Sequence, residues 1–221
     1  MRLIIAFFAL LLGIGAEPQC EKCAVETRPL SSQATVKGEW IASTERSALF
    51  SKEALFEDQR GDAVLLAQPK TPYLISFIYT RCDNPRKCPR MTAHLAALTQ
   101  ALAKTEWGSA VKVYLMTYDP AYDTSEVLLS YGNEARFFDE RDGGIGSFIR
   151  CKNENFRDLV KDWNISVNFD RRGEVSIHGN QVLLVDQKGR LARRYEILLP
   201  SQSDLKADLR ALYEEVATLG R

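Results

Sequence analysis

Two periods of hydrophobic and polar positions run through this chain and divide it into alternating strands and helices. Residues 73–79, Tyr-Leu-Ile-Ser-Phe-Ile-Tyr, are almost continuously apolar and rich in aromatic and β-branched side chains, the pattern of a buried central strand. A short loop follows, and then Met91, Leu95, Leu98 and Leu102 recur at helical spacing. Pro89 suits the start of that helix, where a missing N–H costs nothing, and the helix is expected to end near Trp107-Gly108. Residues 110–118 form a second strand, with Val111, Val113 and Leu115 alternating, stopped by Asp119-Pro120. Asp123 or Thr124 then caps a helix running to about Phe137, with Glu126 placed to close a capping box with Asp123.

Further on, residues 147–151 read as a short strand and 153–163 as a helix carrying Phe156, Leu159, Val160 and Trp163 on one face. Residues 177–186 and 191–197 read as a hairpin around Asp186-Gln187-Lys188-Gly189. Leu205, Leu209, Leu212 and Val216 mark a terminal amphipathic helix over 203–219. Before the central strand, residues 55–67 look like a small hairpin turning at Asp58 to Asp62. Strands alternating with helices, closed by a hairpin and a helix, predict an α/β fold. That order, with two cysteines after the central strand, suggests a thioredoxin-like three-layer sandwich with an N-terminal hairpin extension.

The first residues break this pattern. Arg2 precedes ten unbroken apolar residues, 3–12, and then the small residues Gly13, Gly15 and Ala16. An ordinary membrane span needs about 20 apolar residues, so 1–16 reads as a signal peptide cut after Ala16. An uncleaved anchor is the alternative, and lipidation at Cys20 a weaker one. Residues 17–38 form a polar tail carrying Cys20 and Cys23, and 39–221 a single folded domain. The mature protein is expected outside the cytoplasm, most simply in a periplasm, where disulfides persist. Its alternative location is anchored in the membrane and facing the periplasm.

Composition adds exclusions. Twenty-nine basic groups balance 29 acidic ones, so no broad basic face awaits nucleic acid. Five cysteines are too few for a disulfide scaffold in 221 residues, and an odd number leaves at least one unpaired. Cys151 reads as a buried strand thiol. Cys20-x-x-Cys23 reads as a tail disulfide, or as a flexible auxiliary metal-binding or redox pair. Of the two histidines, His94 falls off the apolar stripe of its helix and reads as a surface residue.

The chemistry centres on Cys82 and Cys88. Cys82 lies just past the central strand and Cys88 at a helix N-terminus, where the helix dipole favours thiolate. Arg81, Arg86 and Lys87 add positive charge. The carboxyl end of a strand in a sheet flanked by helices is a usual place for a site. Thiolates alone do not choose between redox exchange and metal binding. His178, just before the strand 180–185, can approach the cysteine loop in this fold. Two thiolates and one imidazole form a soft ligand set suited to Cu(I) and able to hold Cu(II), whereas zinc usually takes a fourth ligand.

Three separated motifs resemble the Sco/SenC family of copper proteins that serve cytochrome c oxidase assembly. They are Phe77-Ile78-Tyr79-Thr80-Arg81-Cys82 with Cys88-Pro89 and Met91-Thr92; Tyr118-Asp119-Pro120 with Asp123-Thr124; and His178 followed by Val182-Leu183-Leu184-Val185-Asp186 and Gly189. The similarity spans about 56–196. It implies a thioredoxin fold holding one copper ion, Cu(I) or Cu(II), through Cys82, Cys88 and His178. It further implies a metallochaperone that delivers copper to, or prepares the thiols of, the dinuclear copper site of cytochrome c oxidase. The copper-site subunit of that oxidase is then the partner, with another copper chaperone or a thiol reductase upstream. Membrane contact would come only through the partner or an uncleaved N-terminus. The family usually places three residues between its cysteines; here five intervene, Asp83 to Lys87. The alternative is an extracytoplasmic thiol-disulfide oxidoreductase using Cys82 and Cys88, a role that does not need His178. A thiol peroxidase is a weaker third reading. Asp119 and Asp123 are explained as a strand stop and a helix cap, with a supporting role near the site as the sharper option.

Overall fold

The computed structural model describes residues 36–138, 144–196 and 199–219. The signal segment, Cys20, Cys23, most of the polar tail and Ile197 lie outside the described residues. The chain enters the sheet at β1 (Val36–Lys37), and β2 (Phe56–Asp58) and β3 (Ala63–Val64) form the expected small hairpin. The central strand is β4 (Tyr73–Ile78), followed by α1 (Cys88–Leu102), β5 (Lys112–Thr117), α2 (Ser125–Glu134), β6 (Gly146–Cys151) and α3 (Phe156–Asp162). Two hairpin strands come next, β7 (Val167–Phe169) and β8 (Val175–His178). The chain closes with β9 (Gln181–Val185), β10 (Leu191–Glu196) and α4 (Gln202–Leu219).

Eight strands form one sheet in the order β1-β10-β9-β4-β5-β6-β2-β3, with β4, β5 and β6 parallel to one another and the other pairings antiparallel. All six residues of β4 and all five of β9 are buried, as strands covered on both faces must be. Leu74 and Ile78 of β4 point into one core with Leu95, Leu98 and Leu102 of α1, Leu128 of α2, and Leu205, Leu209 and Leu212 of α4. Tyr73, Ile75 and Phe77 point into the other with Phe156 and Val160 of α3, Phe50 and Trp163. The molecule is thus a three-layer, thioredoxin-like α/β sandwich with β2–β3 extending one sheet edge.

Several boundaries differ from the sequence expectation, each for a physical reason. Helix α1 stops at Leu102, and a 3-10 turn at Gly108–Ala110 leads into β5. Helix α2 is capped by Thr124, whose side chain accepts from the Val127 N–H, and ends at Glu134; Asp123 is drawn into the interior instead, so the Asp123–Glu126 capping box does not form. The run 177–186 is not one strand. It breaks at Gly179-Asn180, because Ile177 and His178 pair with β7 while Gln181 onward pairs with β4 and β10. The Asp186–Gly189 turn is as expected: the Gly189 N–H donates to the Asp186 carbonyl at 2.9 Å, and Gly189 takes φ of 75°.

Candidate metal centre

The carboxyl ends of β4 and β5, the start of α1 and the end of β8 converge at one point. Strand β9 lies antiparallel to β4, with Tyr73 opposite Val185 and Ser76 opposite Val182. Carried outward, that register brings residues 178–180 alongside 78–80, at the mouth of the cysteine loop. There the Nε2 of His178 lies 3.7 Å from the Sγ of Cys88 and 3.9 Å from the Sγ of Cys82. All three donor atoms lie within 4.8 Å of one another, and both cysteines are unpaired. Donors bound to one first-row metal ion at about 2.0–2.3 Å stand roughly 3.5–3.8 Å apart. The nitrogen–sulfur spacings of 3.7 and 3.9 Å come within a few tenths of an ångström of that demand.

The tautomer of His178 is set by its neighbour. Nδ1 lies 3.0 Å from the Gly179 carbonyl oxygen, which can only accept, so Nδ1 carries the proton. Nε2 therefore turns a free lone pair toward the sulfurs. The Tyr118 hydroxyl donates to the same Gly179 carbonyl at 3.2 Å. The imidazole is packed between the rings of Tyr79 and Tyr118, at centroid distances of 5.5 and 5.2 Å. Burial holds the His178 pKa below its ordinary value, which keeps the ring neutral and ligand-competent at neutral pH.

The five residues between the cysteines are accommodated by a turn directed outward. The Lys87 N–H donates to the Asn84 carbonyl at 3.0 Å, Pro85 occupies the second turn position, and the Asn84 side chain accepts from the Arg86 N–H. Residues 83–86 are exposed, while Cys88 is buried and Cys82 is only 9% exposed. The longer loop bulges into solvent and leaves the sulfurs together.

One electrostatic expectation is reversed. Cys88 is the first residue of α1 and Pro89 the second, so the sulfur does sit at the helix N-terminus. Burial nevertheless pushes the Cys88 thiol far above its usual value. The loop cations do not offset this. Arg81 is turned away to Asp119 at 2.6 Å, and the Lys87 ammonium donates to the His178 carbonyl at 3.4 Å. A protonated, buried thiol is a poor nucleophile at neutral pH, but a metal ion can displace its proton.

The segment leading to Cys82 is held by a carboxylate read at first as a helix cap. Buried Asp123 accepts from the Thr80 N–H at 3.1 Å and from the hydroxyls of Thr80 and Thr117. Burial raises its pKa, with those hydrogen bonds acting in opposition. The Cys82 N–H donates to the Tyr79 carbonyl at 3.2 Å. Sequence reading missed the β7–β8 hairpin and the packing roles of Tyr79 and Tyr118; the aromatic residues closing β4 and following β5 were the available signal.

The remaining candidates lie elsewhere. Cys151 is a buried thiol at the end of β6, donating to Asn153, as expected. His94 is half-buried rather than on the surface: its Nε2 donates to the Pro200 carbonyl at 2.9 Å and ties α1 to the entry of α4. Among the described residues, no helix is long and apolar enough to cross a membrane.

The chain was compared with known proteins. Residues 43–214 match the SCO1/SenC family model. A SCO1/SenC family lipoprotein from Bacillus anthracis is similar at 26% identity and a TM-score of 0.60, covering 77% of this chain and 99% of that one. Copper-bound ScoI from Bradyrhizobium japonicum shares the fold at 20% identity and a TM-score of 0.57, covering 72% of this chain and 96% of that one. BsSco, described as a member of the Sco family of cytochrome c oxidase assembly proteins with a disulfide switch, shares it at 20% identity and a TM-score of 0.60, covering 76% and 97%. No curated protein sequence matches the chain. With its cysteine loop, its histidine hairpin and residues 43–214 all inside the matched region, the chain belongs to the SCO1/SenC family.

Proposed function

We propose that the protein is an extracytoplasmic copper-binding assembly factor. It holds one copper ion, Cu(I) or Cu(II), between Cys82, Cys88 and His178, and serves the dinuclear copper site of cytochrome c oxidase. The supporting observation is the approach of a correctly tautomerised imidazole nitrogen to two unpaired sulfurs, at 3.7 and 3.9 Å. Family membership and the copper-bound state of ScoI from Bradyrhizobium japonicum favour copper as the cargo. Three protein donors leave copper open to an incoming thiolate of the recipient, so transfer proceeds by exchange of one ligand at a time. The donors here must shed the Cys88 proton on loading and regain it on release.

A second reading rests on the sulfurs themselves, which lie within 4.8 Å of each other and are both unpaired. As a dithiol the protein would reduce a partner disulfide. Two electrons would pass to the partner, and a Cys82–Cys88 disulfide would form. The buried, protonated state of Cys88 weighs against efficient attack by that sulfur.

Copper titration of the reduced protein separates the two. The copper reading requires about one equivalent retained against a competing chelator, and a thiolate-to-Cu(II) absorption band lost in Cys82→Ala and Cys88→Ala. Unchanged affinity in His178→Ala would remove the imidazole from the ligand set. Absence of copper binding, together with efficient reduction of protein disulfides, would establish the oxidoreductase.

A further inference from the structure

Arg81 directly precedes Cys82 and touches both segments flanking the cysteine loop. Its guanidinium donates to Asp119, just beyond β5, at 2.6 Å, and lies 4.2 Å from the centre of the Tyr122 ring. Its other terminal nitrogen is 4.0 Å from Glu174, in the turn of the β7–β8 hairpin that carries His178. The Asp119 side chain is only 12% exposed and its backbone N–H donates to Thr117, so the anchor is rigid. Cys88 is fixed by the first turn of α1, whereas Cys82 lies in irregular backbone between Tyr79 and Asn84. The sulfur that most needs positioning is therefore the one next to Arg81.

We propose that Arg81 is a positioning residue for the donor site. Held by Asp119 and Tyr122 and reaching toward Glu174, it ties the Cys82 segment to the β5–α2 connection and to the histidine hairpin. It thereby sets where the Cys82 sulfur meets the His178 nitrogen. The inference rests on the three-donor reading of the site for its copper consequence only. The placement of Cys82 stands on the protein's own contacts.

The test uses Arg81→Gln, Arg81→Lys, Asp119→Asn and the charge swap Arg81→Asp with Asp119→Arg, in the reduced chain. In metal-free protein, amide exchange at Cys82 is measured against that at Met91, whose N–H donates to Lys87 at the start of α1. Exchange at Cys82 is expected to rise about three- to tenfold in Arg81→Gln and Asp119→Asn, the range of an exposed ion pair plus a cation–π contact. Exchange at Met91 stays constant, and Arg81→Lys and the charge swap recover part of the protection. In protein loaded with Cu(II), release to a chelator accelerates by a similar factor and the thiolate-to-Cu(II) band shifts. Equal exchange at Cys82 in wild type and Arg81→Gln overturns the proposal. If the wild type binds no copper while Cys82 exchange still responds, the copper reading fails and the positioning role stands.

Discussion

The Tyr118 hydroxyl and the His178 imidazole donate to one and the same acceptor, the Gly179 carbonyl oxygen, at 3.2 and 3.0 Å. The acceptor follows His178 directly, and the second donor reaches it from just beyond β5, a strand that carries none of the three candidate ligands. Tyr118→Phe removes one donor and leaves the other. It is expected to cost about 1 kcal/mol in urea unfolding, the usual worth of a hydrogen bond. Copper stoichiometry should stay near one, with affinity weakened less than tenfold in chelator competition. Complete loss of binding would mean that the phenol does more than orient the imidazole.

Asp123→Ala should be far more damaging. It strands the Thr80 N–H and two threonine hydroxyls in a buried place. A loss of about 2–4 kcal/mol is expected. Asp123→Asn, which keeps one acceptor oxygen, should lose less. Equilibrium unfolding of the two variants beside wild type measures the difference.

Copper affinity should depend on pH in two regimes. Burial holds the Cys88 thiol far above its ordinary value, so loading at neutral pH releases at least one proton. The logarithm of affinity should therefore rise by at least one per pH unit between about pH 7 and 8. The depressed pKa of His178 leaves the ring already neutral there, so it adds slope only below the unfolded value near 6.5. The same depression has a stability sign. Below that unfolded value the unfolded chain binds a proton that the folded chain refuses, so stability falls as pH drops toward the folded pKa. His178→Gln should flatten both acid-side effects, in chelator competition and in pH-dependent unfolding.

Gly189→Ala provides a control remote from the donors. Gly189 sits at φ of 75°, and a Cβ there would lie 2.3 Å from the Ala67 carbonyl oxygen. A cost of about 2 kcal/mol or more is expected from strain and displacement. The folded fraction should still bind one copper, as measured by titration beside thermal unfolding.

Periodicity made the layers legible. The apolar run of β4, the alternation in β5 and the leucine stripes of α1 and α4 each appear where the sequence places them. The cysteine pair was legible too, because its strand and helix flank it locally. The β7–β8 hairpin was not. Its strands are short, and its base is set by distant partners: the Gly179 N–H donates to Ser166 at 2.7 Å, and the Ser166 N–H to the Gln181 side chain at 2.7 Å. Asp123 resembles a cap because a short acidic side chain just ahead of an amphipathic run suits that role as well as Thr124 does. What removes it is Thr80, 43 positions away. The state of Cys88 was misjudged because the helix dipole is visible in a sequence and the depth of burial is not.

The pairing of β9 with β4 is what measures the distance between histidine and sulfur. A slip of one residue along that pairing would carry His178 about 3.3 Å, longer than a metal–ligand bond. It would also exchange the two faces of β9, driving Val182 and Leu184 into the core of Leu183 and Val185 and the reverse. A chain that has not closed this pairing in the correct register offers copper two thiols and no imidazole. On the proposed three-donor reading, metal uptake would thus double as an inspection of the finished sheet, with the full ligand set offered only by molecules that have folded correctly.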